Sequence, residues 1–238
     1  MEQNWRDLLN DDKNFDQKVP YDLKKIEDNM KKAQADLTHF NPYYVLSPVY
    51  DFTKFFDKIS SALSMGFKDI TEKVDLMRKI LKDDPEVNDI QTLIEKEISL
   101  NIHKLTGENN AKLGHKDDKY KKYVSAARTF LRLLWFMEFL IHIFRKLLKE
   151  EDKSLKEILK SAYNEVLAPR HSGVVRTAVS VALTFSGGKK KEAIKTIFGY
   201  DEMNSQCKEK IAYVADMLEK IWKAGYDFYE KKELLKLE

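Results

Sequence analysis

Apolar residues recur at three- and four-residue intervals along most of this chain, the spacing that lines up one face of an α-helix. Leu23, Ile26, Met30 and Ala33 predict a surface helix within residues 21–37. Val49, Phe52, Phe55, Phe56, Ile59 and Leu63 predict another, started by Pro48. Beyond Gly66, a stripe of Phe67, Ile70, Val74, Met77 and Leu81 predicts a third, and Pro85 opens a fourth. The longest helical signal covers residues 120–149, and its middle, LRLLWFMEFLIHIF, is apolar nearly all round, as befits a helix at the centre of a core. That run is too short to span a bilayer and contains Arg132, Glu138 and His142. SLKEILKSAYNEVLA predicts a helix stopped by Pro169. In GVVRTAVSVALTF, Val179, Val181, Leu183 and Phe185 alternate as in a strand. A lone strand would have no partner, so the segment is expected to be a buried helix closed by Gly187 and Gly188. A short helix at residues 189–200 and a long amphipathic one from Asn204 complete an all-α chain of about eight or nine helices.

Composition narrows the function classes. Only 8 Gly and 5 Pro in 238 residues disfavour a turn-rich β fold, and 43% hydrophobic residues suffice for one large core. The 42 basic and 39 acidic side chains leave a net charge of +3, which excludes a strongly basic nucleic-acid binder. Cys207 stands alone, so neither a disulfide framework nor a cysteine-rich zinc site is possible, and a reducing compartment suits it. The N-terminal residues are acidic and polar and do not resemble a secretory signal. A cytosolic protein is expected.

The usual catalytic signatures are missing: no phosphate-cradling glycine loop, no HExxH, no nucleophile elbow. The five histidines are scattered without metal-ligand spacing; His115 is expected to be solvated and His142 to be a hydrogen-bonded core residue. No catalytic residue, cofactor or metal is expected. Three local features stand out. Arg128 and Arg132 share a face at the start of the most apolar helix, where two like charges repel unless an anion lies between them or they snorkel to acids and water. Asp69 and Lys73 also share a helix face, as an ordinary surface ion pair would. His171 stands at a helix entrance in APRHSGVVR, where it or Ser172 could simply cap the helix.

In this order and separation, the three features resemble the glycolipid transfer protein family over residues 48–197. The resemblance implies a two-layer helical sandwich with one sphingolipid, its headgroup in a surface cleft and its chains between the layers. Members that carry neutral sugars have Asp-x-x-x-Asn and a tryptophan on the central helix; members that carry ceramide-1-phosphate have Asp-x-x-x-Lys and Arg-x-x-x-Arg. Lys73 with Arg128 and Arg132 matches the phosphate class, and Trp135 lies too far along to serve as a sugar platform. The resemblance makes Asp69, Lys73, Arg128, Arg132 and His171 the headgroup residues. Three cations would offset a phosphomonoester of about −1.5 to −2 charges. Asp69 would accept from the ceramide amide and a hydroxyl, and His171 would donate to the amide carbonyl. Moving two chains of roughly thirty methylenes naked through water would cost on the order of 24 kcal/mol, which is why such a lipid needs a carrier.

The expected function is therefore non-catalytic transfer of ceramide-1-phosphate between membranes, with transient peripheral membrane contact and no nucleic-acid partner. A neutral glycosphingolipid or another phospholipid as cargo, and a filled helical scaffold that binds no lipid, stand as alternatives. Oligomeric state is open in the sequence, a monomer being the simplest expectation. Residues 41–238 form the expected lipid-binding domain, and residues 1–40 an extension with no assigned role. Family members carry an aromatic residue two positions after the histidine, used in membrane docking; here that position is Gly173. Tyr43, Tyr44, Phe198 and Tyr200, near Lys189 to Lys191, are the substitutes expected to dock.

Overall fold

The computed structural model describes residues 4–59, 61–115, 118–184 and 189–237, with the side chains of 57–59 and 61–66 outside that description. The described residues form ten α-helices and no strand: α1 (Trp5–Asn10), α2 (Leu23–Ala33), α3 (Pro42–Ile59), α4 (Ser61–Asp83), α5 (Ile90–Ser99), α6 (Ala126–Lys149), α7 (Leu155–Val166), α8 (Gly173–Thr184), α9 (Lys190–Phe198) and α10 (Ser205–Lys231). Single 3₁₀ turns lie at Asp12–Phe15 and Ala168–Arg170. The all-α sandwich expected from the sequence is thus present, with a somewhat larger helix count because α1 is a short helix of its own.

Local chemistry explains most boundaries. Pro42, not Pro48, opens α3: the Asn41 side chain accepts the Tyr43 and Tyr44 amides, and Pro48 sits inside the helix. An interior proline deletes one helical hydrogen bond, and burial of Val45, Leu46, Val49 and Phe52 around it offsets the loss. Gly66 does not break the chain into two helices either, since α4 runs through it from Ser61. Pro85 precedes α5 rather than starting it; Asp89 caps that helix by accepting from the Thr92 amide at 2.7 Å. At α7, Ser154 and Glu157 form a reciprocal capping box. The predicted stripe positions Ile59 and Leu63, Phe185 and the Gly187-Gly188 stop lie outside the described side chains.

As the sequence predicts, α6 is central, packed on α4, α5, α7 and α10. Gly225 lets α10 approach it closely: a Cβ there would lie 2.6 Å from Leu134 Cδ2. Tyr229 on α10 donates its buried hydroxyl to the Ala127 carbonyl at 2.7 Å. The segment preceding residue 41 contributes Leu9, Phe15, Ile26 and Met30 to the same core, and Arg6 donates to the carbonyls of Leu81 and Pro85 at the end of α4. His142 differs from expectation. It is half exposed on α6, with Nδ1 3.2 Å from Glu165, because the arc of α6 it occupies faces α7's charged side. No helix among the described residues is long and apolar enough to cross a membrane.

The largest departure is α8. Its apolar residues predict a buried helix, yet only Leu183 is buried, while Val174 is 83% and Val181 52% exposed. It rests mainly on α4 and α7, and the space beneath it is open.

Candidate functional site

That open space is a cavity of about 560 Å³ between α4, α6, α7 and α8. One wall is apolar: Phe67 and Ile70 from α4, Phe136 and Phe139 from α6, and Val175, Val179 and Leu183 from α8. Phe67 stacks on Phe56 with ring centroids 4.0 Å apart and also meets Phe136 and Phe139, so the floor is a rigid aromatic cluster. At the other end the lining is polar: Asp69, Lys73, Arg132, Arg170 and His171. An adjoining recess of about 260 Å³ shares Asp69, Lys73 and Arg132 and adds Arg128, Glu72 and Thr129. All five residues singled out in the sequence therefore converge, four on the cavity and Arg128 beside it.

Each side chain has a local reason for its place. Lys73 and Asp69, one turn apart on α4, form an ion pair whose carboxylate is mostly exposed and whose ammonium is mostly covered. Arg132 donates from Nη1 to the Arg128 carbonyl at 3.0 Å and the Leu237 carbonyl at 3.3 Å. Among the described residues no carboxylate lies within ion-pair distance of it. Burial, followed by the Arg128 charge, pushes its guanidinium down to about 10, so a neighbouring anion would relieve an unfavourable setting. His171 ends the 3₁₀ turn after α7, with Nδ1 3.1 Å from the Tyr163 hydroxyl. Burial holds the imidazole below its ordinary value, Lys73 adds to this and Asp69 opposes it. A neutral ring that accepts from Tyr163 at Nδ1 carries its proton on Nε2, a donor.

Sequence reasoning did not assign Arg170, Trp135 or Tyr163. Arg170 pairs with Glu138 at 2.8 Å, and both its guanidinium and that of Arg132 lie over the Trp135 indole, 5.2 and 5.1 Å from the ring centroid. Trp135 does line the cavity, contrary to its expected remoteness, but its π face is taken up by cations. Tyr163 reaches His171 across a helix end, eight residues away, a separation with no periodic signature.

The sequence profile described as Glycolipid transfer protein (GLTP) matches residues 44–197. The chain belongs to the glycolipid transfer protein family. The match spans both halves of the cavity, from α3 through α8. It is also similar to a ceramide-1-phosphate transfer protein of Danio rerio, 23% identical over 226 residues that cover 91% of this chain and 98% of that protein. The crystal structure of human ceramide-1-phosphate transfer protein in complex with 12:0 ceramide-1-phosphate superposes with a TM-score of 0.74 at 19% identity, over 92% of this chain and 100% of that one. A fungal glycolipid transfer protein superposes with a TM-score of 0.64 at 20% identity, over 91% and 93% of the two chains. Membership of the glycolipid transfer protein family makes this a lipid-transfer fold. Within that fold, the expected docking aromatics Tyr43 and Phe198 are unavailable: Tyr43 packs on Phe15 and Phe198 on Phe144, both buried in the core.

Proposed function

We propose that this member of the glycolipid transfer protein family carries ceramide-1-phosphate between membranes without chemical turnover. The observation that supports it most is a single cavity whose two ends match the two ends of such a lipid. Asp69, Lys73, Arg132 and His171 line one end with Arg128 adjoining, and the aromatic floor and α8 line the other. The phosphate binds Lys73, Arg128 and Arg132; guanidinium forks suit its oxygens and the three charges offset its own. Asp69 accepts from the amide N–H and a hydroxyl of the sphingoid base. His171 donates from Nε2 to the amide carbonyl. The chains lie on Phe67, Phe136, Phe139 and Val179, where each buried methylene contributes about 0.8 kcal/mol.

A neutral sugar fits less well, since Trp135 presents its ring to Arg132 and Arg170. The relatives' ligand points the same way, as the human structure similar to this chain contains ceramide-1-phosphate. Membrane contact is made by α8, whose Val174 and Val181 are exposed beside the cavity, and the protein works from the cytosol in passing contact with bilayers.

The test is transfer of fluorescent ceramide-1-phosphate between vesicles, beside galactosylceramide, phosphatidic acid and sphingomyelin, for wild type, Arg128→Glu and Asp69→Val. Fast ceramide-1-phosphate transfer lost in both variants supports the reading. Galactosylceramide transfer untouched by Arg128→Glu overturns the headgroup assignment, and no transfer of any lipid overturns the carrier.

A further inference from the structure

Outside the headgroup site, the most heavily engaged buried acid is Glu97. On α5 it follows Ile90, Leu93 and Ile94 at helical spacing, so the fold turns its carboxyl inward, and it is 1% exposed. A buried carboxylate is costly unless hydrogen-bonded, and this one has three donors. Tyr123 donates its hydroxyl to Oε1 at 2.6 Å, the Ala126 amide donates to Oε1 at 2.6 Å, and the Ala127 amide donates to Oε2 at 2.8 Å.

The two amides are the first two of α6, where N–H groups have no intrahelical acceptor and a negative charge is favoured by the helix dipole. The third, of Arg128, goes to Ser125 Oγ at 3.1 Å. Because the two amides bind different oxygens of one carboxylate from another helix, both the axial position and the rotation of α6 are held. A slip of one residue would move its side chains about 1.5 Å along and 100° around the axis. Arg128 is the next residue, and Arg132 follows one turn later.

We infer that Glu97 is a positioning residue for the anion site: its carboxylate clasps the first turn of α6 and so aims Arg128 and Arg132 at a bound phosphate. This rests on the headgroup reading proposed above. Desolvation pushes the Glu97 carboxyl up to about 7, with Tyr123 and the two amides pulling the other way; the clasp depends on those donors. The cavity that Glu97 lines, about 520 Å³ between α4, α5 and residues 118–124, meets the Arg128 recess at Leu76 and Val124, so the clasp lies one layer behind the cations.

The test uses the full chain and two ligands with identical chains, ceramide-1-phosphate and ceramide, measured by equilibrium binding for wild type, Glu97→Gln and Tyr123→Phe, with thermal melts alongside. Glu97→Gln sets an amide N–H₂ against the Ala127 or Ala126 donor. The expected result is at least a tenfold fall in preference for ceramide-1-phosphate, with ceramide affinity within about twofold of wild type. Tyr123→Phe keeps the carboxylate on α6 and is expected to lower the preference two- to threefold. Equal loss for both lipids in Glu97→Gln, or no loss for either, overturns the positioning role. Should Glu97→Gln fail to fold, an unchanged preference in Tyr123→Phe overturns it. A wild type that binds ceramide as tightly as ceramide-1-phosphate overturns the headgroup reading first.

Discussion

Helices α6 and α8 are both largely apolar, yet they meet opposite fates. In α6, Phe130, Leu133, Leu140, Ile143 and Phe144 are buried among four neighbouring helices, and its first turn is clasped by Glu97 and Ser125. In α8 only Leu183 is buried, α4 and α7 are its main supports, and its first turn has a long 3.4 Å contact from the Val175 amide to Ser172 Oγ. Most of the apolar surface of α6 is covered by protein, with Phe136 and Phe139 left to line the cavity floor. That of α8 faces a cavity on one side and solvent on another, so its hydrophobicity is matched only when something apolar occupies those spaces. The same residue chemistry thus builds a core in one place and a binding surface in another.

The difference can be broken most forcefully on α6. Phe144→Ala removes a ring packed on Phe52 and Phe198, and chemical denaturation is expected to register a loss of about 3–5 kcal/mol. The clasp at the helix start sets a pH dependence. The Glu97 carboxyl titrates near 4.5 unperturbed and at about 7 when folded. Between those values the unfolded chain releases this proton and the folded protein retains it, so stability falls as pH rises through the interval, on the order of 3 kcal/mol in all. Glu97→Gln is expected to flatten that slope in melts recorded from pH 4.5 to 7.

On α8 the expected stability effects are small and the functional ones large. Ala178→Trp projects into the cavity and should abolish lipid uptake while shifting stability by less than about 1 kcal/mol, since the space is open; an unimpaired uptake would place the lipid elsewhere. A Cβ added at Gly173 would meet nothing within 4 Å, and the residue has no positive φ. Gly173→Trp should therefore be tolerated within about 0.5 kcal/mol and raise partitioning onto vesicles, measured by sedimentation. Equal partitioning would separate this end of α8 from membrane contact.

Much of this was legible beforehand. The stripes on α4, α6 and α10 follow from apolar spacing, although α6 starts at Ala126, capped by Ser125, rather than near residue 120. Asp69 and Lys73, and Arg128 and Arg132, share faces by arithmetic alone. Their convergence with His171 came only through a family resemblance, because nothing local brings α4, α6 and the turn after α7 together. Arg170 and Tyr163 went unassigned since packing brings their partners: Glu138 lies mid-way along α6, and His171 lies beyond the end of α7. Pro48 misled because a proline tolerated inside a buried helix looks the same in sequence as one that starts a helix.

By itself, the order of residues determined that the chain is helical, where its apolar faces run, and which cations share a turn, because those properties depend on 3.6-residue periodicity and side-chain type. Only the tertiary structure decided that most of α6 is covered by its neighbours while α8 roofs a void, that Tyr43 and Phe198 are core residues, and that a glutamate on α5 holds the start of α6. An apolar face has the same pattern whether protein or cargo will cover it; what covers it is settled by how the helices pack.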